Sequence, residues 1–79
     1  MNDIEKRLGL CFSNVFPMLT AGEIKTASTA SLPEWDSMAH VALLSSVGEE
    51  FAIEFELEDF EDLVSYGLIL DRLENPGPQ

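Results

Sequence analysis

The chain has 79 residues, with 15 Asp or Glu against 4 Lys or Arg and a formal net charge of −11. That length buries one small core and no more, and that charge argues against nucleic acid and anionic membrane surfaces while favouring basic protein surfaces. A hydrophobic fraction of 46% argues against disorder, and Cys11, the only cysteine, excludes an internal disulfide or a cysteine metal cluster within one chain.

The start, Met1 to Arg7, has no basic region followed by an apolar core, and no run approaches the length of a membrane span. The expectation is one cytoplasmic, monomeric domain over 1–79, ordered from about 3 to 74, with 75–79 as a frayed tail. Asn2 or Asp3 can cap a first helix, whose buried stripe is Ile4, Leu8, Cys11, Phe12 and Val15, and Pro17 stops it. Cys11 on that stripe reads as a small buried apolar residue in preference to a reactive thiol.

Residues 17–36 read as a long loop without a strong period, pinned to the core by Ile24 and Leu32. Asp36 and Ser37 are both helix-start residues. Met38, Val41, Leu44, Val47 and Phe51 then recur at helical spacing and predict a second helix over about 37–51. Gly48 inside it asks for close packing or a slight bend. Ala52 to Leu57 alternates like a strand but lacks a partner strand, so an extended linker is expected, followed by a short helical turn over 58–62. Ser65 can cap a last helix, 66 to about 74, burying Leu68, Ile69 and Leu73. The predicted fold class is all-α: a four-helix bundle, three helices long and one short, with a long connection between the first two.

The Asp36-Ser37-Met38 triplet, mid-chain in a small acidic protein and followed by the run Phe55-Glu56-Leu57-Glu58-Asp59-Phe60, resembles the Asp-Ser-Leu attachment site of acyl carrier proteins. The resemblance runs from the first helix to about Glu74 and implies an acyl-carrier-like bundle. It implies 4′-phosphopantetheine carried on Ser37 through a phosphodiester. It also implies a phosphopantetheinyl transferase and acyl-loading and acyl-processing enzymes with basic surfaces as partners, and no catalysis by the chain itself. Asp36 would cap the helix or, as the resemblance implies, ligate the magnesium ion used in loading. A helix start suits the attachment chemistry, because its unpaired N–H groups and positive dipole end favour an anion.

Met38 and Val41 are expected at the partner surface, Met38 serving equally as the first core residue of the helix. Glu49 and Glu50 are the acids left near the end of that helix, where fatty-acid-synthesis carriers place acids further forward; here Ala39, Ala42 and Gly48 stand at those positions, which points to a specialised carrier. Trp35 either packs over the loop or faces a partner. Eight acids between Glu49 and Asp62 (Glu49, Glu50, Glu54, Glu56, Glu58, Asp59, Glu61 and Asp62) read as a partner-facing surface in preference to a merely solvated one. His40, three residues after Ser37, reads as solvated or partner-facing and not as a general base, since no Gly-x-Ser-x-Gly elbow or oxyanion hole accompanies the pair. The alternatives are an aminoacyl or peptidyl carrier, an acidic interaction module with unmodified Ser37, and a small hydrolase using Ser37 and His40.

Overall fold

A computed structural model describes residues 3–75 of the chain. Five helices follow in order: α1 (Asp3–Val15), α2 (Ala21–Lys25), α3 (Ser37–Phe51), α4 (Leu57–Asp62) and α5 (Tyr66–Glu74). No strand occurs among the described residues. The all-α expectation stands, but with five helices in place of four. A cap at Asn2 and the tail beyond Asn75 lie outside the described residues.

α1 buries Leu8, Cys11 and Phe12 on one side, as their spacing requires. Phe16 donates its N–H to Phe12 O and closes the last turn before Pro17, which has no N–H to give. Its ring is 1% exposed, so the core continues past the helix end.

The connection to α3 is a built segment. Thr20 and Glu23 form a reciprocal capping box, each side chain accepting the other's backbone N–H, and this satisfies the start of a helix only five residues long. Ile24, on α2, is buried and Leu32 is half-buried, both as expected. Ser28 then bridges Ser65 in an isolated antiparallel pair, with Thr29 N–H donating to Val64 O and Tyr66 N–H to Ala27 O. The expectation of an unstructured connection fails because these caps and pairings are local or long-range polar features that leave no apolar period.

α3 carries two apolar faces. Leu43, Leu44 and Val47 are fully buried and Phe51 half-buried, whereas Met38 is 84% and Val41 52% exposed. The predicted single stripe therefore splits: its first two members look outward, because the inward direction is set by Leu43, Leu44 and Val47.

The far end of α3 explains Gly48. A Cβ there would meet Ile53 O at 2.7 Å, closer than van der Waals contact permits, and Gly48 O accepts from both Ala52 N–H and Ile53 N–H. Ala52, at φ 57°, takes the left-handed conformation that reverses the chain. The predicted extended linker follows, with Ile53 and Phe55 half-buried against the core.

In α4, Asp59 Oδ2 accepts the N–H of Glu56 while Oδ1 pairs with Arg72 of α5. Asp59 is therefore 8% exposed and is removed from the predicted acidic surface. Ser65 caps α5 as expected, accepting from Leu68 N–H. Leu68 itself is 48% exposed. Tyr66, Ile69 and Leu73 define the inward side of α5 at three- and four-residue spacing, and Leu68 falls off it. Phe12 lies at the centre of the core, with ring centroids 5.5 Å from Trp35 and 5.3 Å from Tyr66, both edge-on.

Candidate functional site

Ser37 is the first residue of α3 and is exposed. Asp36 is the N-cap, in extended conformation, and its Oδ1 accepts Ala39 N–H at 2.9 Å. Asp36 O accepts His40 N–H and begins the helical ladder. The N–H groups of Ser37 and Met38 have no acceptor within the helix. Among the described residues the Ser37 hydroxyl makes no hydrogen bond, so capping is the work of Asp36 and Ser37 is left over. Met38 and Val41 flank it and, with Ser37, line a shallow, mostly apolar depression.

Beneath this surface the loop is locked by Trp35 and His40. Trp35 is 3% exposed and packs on Phe12 and Phe16. Its indole N–H donates to His40 Nδ1 at 2.9 Å, and His40 Nε2 lies 2.6 Å from Phe60 O. An indole nitrogen only donates and a carbonyl only accepts, so the two bonds require the neutral imidazole with its proton on Nε2. The ring also stands edge-on to Phe60. His40 thus ties the segment before Ser37 to α4.

Of the two alternatives for Trp35, packing over the loop holds and the partner-facing one falls, because its large apolar ring fills the core and its one polar atom has a partner inside; the expectation for His40 is corrected. His40 is not solvated or partner-facing, because both ring nitrogens are used within the fold. The same two bonds leave it no nitrogen for the Ser37 hydroxyl.

The other predicted partner residues are placed unequally. Glu49 is exposed. Glu50 is exposed as well, but its Oε2 accepts from Arg7 Nε at 2.7 Å and its carbonyl from the same guanidinium. Arg7 also pairs with Asp3 and lies over the Phe51 ring, 4.4 Å from its centroid. Those carboxylates hold the Arg7 guanidinium above its usual range, the Glu50 hydrogen bond first. Glu50 is thus part of a clamp between α1 and α3 and not a free recognition charge. Glu54, Glu56, Glu58, Glu61 and Asp62 are exposed.

Cys11 is buried, and burial pushes its thiol up from the usual range, against a smaller downward pull from the Ser46 hydroxyl. Ser46 lies nine residues beyond Ser37, about 13 Å along the helix, so the thiol is no companion to that serine. Among the described residues no group of three or more His, Cys, Asp or Glu is arranged to hold a metal ion, and no helix is long and apolar enough to cross a membrane.

The Trp35–His40 bridge and the buried Phe16 are what sequence reasoning missed. Positions 35 and 40 straddle a helix start, where helical spacing does not apply, and Phe16 sits one residue past its helix. An aromatic immediately before a stop signal was the available clue. No protein-family model, curated protein or solved structure matches the chain.

Proposed function

We propose that the protein carries an acyl group as a thioester on a 4′-phosphopantetheine arm joined to Ser37 Oγ, and presents it to partner enzymes without catalysing a reaction itself. The observation that carries this reading is an exposed serine at the first position of a long helix, freed from capping by Asp36 and flanked by exposed Met38 and Val41. When bound, the arm supplies a flexible thiol that holds the cargo.

The residues present fit such a group. The N–H groups of Ser37 and Met38 and the positive end of α3 favour a phosphodiester at that position. One oxygen of Asp36 is used by Ala39 N–H, and the other remains for the magnesium ion of a loading enzyme. The order of helices, with a long first connection leading into Ser37, supports an acyl-carrier-like bundle. Met38 and Val41 serve as the apolar anchor for a partner, and Glu49 with the exposed acids of residues 54–62 steers a basic surface toward it. A hydrolase is disfavoured, since a triad needs a histidine nitrogen facing the serine.

The test is intact mass after incubation with coenzyme A, Mg²⁺ and a promiscuous phosphopantetheinyl transferase, beside Ser37→Ala. A single phosphopantetheinyl adduct is expected on the wild type and none on the variant. Ser37→Ala should keep its melting temperature, within the roughly 0.5 kcal/mol typical of surface changes, because Asp36 still caps α3. No adduct on folded protein with an active transferase would turn the reading toward an acidic interaction module.

A further inference from the structure

A second concave feature shares no residue with the Ser37 surface. It is a groove of about 210 Å³ between α1 and α2, with Gly9 and exposed Leu10 on one side and buried Ile24 and Tyr66 at its base. Gly9 is open: a Cβ there meets nothing within 4 Å. Lys6 and Lys25 line it from the two helices. The chain has four cationic side chains, Lys6, Arg7, Lys25 and Arg72. Arg7 and Arg72 are spent on Asp3, Glu50 and Asp59. Among the described residues neither lysine has a carboxylate within ion-pairing distance. Glu5 also stands at the groove, and Glu5 and Glu74 both act on Tyr66 at its base, so the two lysines without a carboxylate partner line one groove and are set there against two acids, in a chain of net charge −11.

We propose that this groove binds a small amphipathic monoanion, a carboxylate on a medium-length apolar chain. The apolar base takes the chain, and the lysines, compact point charges on flexible stems, take the carboxylate. The volume lies below the roughly 300–1,000 Å³ of drug-sized sites, so one short chain fills it. A macromolecular acidic partner would bring its own negative surface against the charge of the whole protein; a monoanion meets mainly the local lysines. The inference is independent of the carrier reading.

The test is an amide-shift titration of the ¹⁵N-labelled full chain with octanoate below its micellar concentration, beside octanol and octylammonium. Saturable shifts at Gly9, Leu10 and Lys25 are expected. Affinity should fall about fourfold for each methylene removed from the acid. Octanoate should bind about tenfold more tightly than octylammonium, the reverse of what a non-specific surfactant does on an acid-rich protein. Lys6→Gln with Lys25→Gln should bring octanoate down to octanol while leaving octanol unchanged. Gly9→Leu fills the groove, improves helix propensity, and should abolish binding at an unreduced melting temperature. Octylammonium binding as well as octanoate, shifts centred elsewhere, unchanged binding by Gly9→Leu, or no saturable shift would each overturn the proposal.

Discussion

The two ends of α3 are built in opposite ways. At its start one carboxylate caps the helix, the serine beside it has no partner among the described residues, and Met38 and Val41 stand in solvent. At its far end, Glu49 apart, the contacts close the helix onto its neighbours. Gly48 has no room for a Cβ, its carbonyl takes two N–H groups, Arg7 holds Glu50 and covers Phe51, and Ala52 adopts a left-handed backbone. The contrast teaches that a helix can be anchored by one end so that the other can remain accessible without fraying. Local unfolding free energy is expected to be low where backbone is exposed and high where packing is dense. The open end is instead held from beneath by the Trp35–His40–Phe60 connection.

The largest way to break this contrast is at the closed end. Gly48→Val drives two methyl groups toward the Ile53 carbonyl and should cost about 3 kcal/mol, the upper range for overpacking. Thermal or urea unfolding would measure it, while loading of the surviving folded protein at Ser37 should persist. An unchanged melting temperature would mean that the backbone at 53 moves freely.

His40→Leu should come next. It keeps apolar volume but leaves the buried Trp35 N–H without a partner, at about 2 kcal/mol. Trp35 is the only tryptophan, so its fluorescence reports the change directly; identical spectra and stability would show that the bridge contributes nothing.

Asp36→Ala removes the cap of the open end and should cost about 1 kcal/mol. It should also lose loading out of proportion to that loss of stability if its free oxygen serves the loading enzyme. Equal loading rates for Asp36→Ala and wild type would confine Asp36 to capping.

The smallest effect sharpens the closed side through α4 and α5. The hydrogen bond from Arg72 holds the Asp59 carboxyl below the usual carboxylate range, against an opposing effect of burial. A group whose folded pKa is depressed stabilises the fold above its unfolded pKa and loses that contribution as pH falls through its folded pKa. The melting-temperature gap between wild type and Asp59→Asn should therefore be full at neutral pH and close below the ordinary aspartate range. A gap that stays constant into strong acid would show that the carboxylate charge is not what stabilises the pair. The effect is small because Arg72 remains about one-third exposed, with its side chain at 31%.

Reading from sequence worked where structure is governed by neighbours along the chain. Pro17, Asp36 and Ser65 mark helix boundaries by the hydrogen bonds they lack or supply locally, and Leu8, Cys11 and Phe12 are buried because a helix repeats every 3.6 residues. The position of Ser37 on an exposed first turn was legible for the same reason. The Thr20–Glu23 capping box was also written in the sequence, as Thr-x-x-Glu, but announces a helix too short to show an apolar period.

What only the tertiary structure decided concerns residues whose fate depends on distant partners. Met38 and Leu68 have the hydrophobicity of core residues and lie outside, because Leu43, Leu44 and Val47 in one helix and Tyr66, Ile69 and Leu73 in the other claim the inward direction. Asp59 and Glu50 carry the charge of surface residues, yet Arg72 and Arg7 engage them across 13 and 43 positions of sequence. Trp35, open between packing and a partner surface, and His40, read as solvated or partner-facing, are settled only when Phe12, Phe16 and the Phe60 carbonyl meet them. Local chemistry set where each helix begins and ends, whereas side-chain burial and pairing depended on which elements met, a matter of packing that no short window of residues contains.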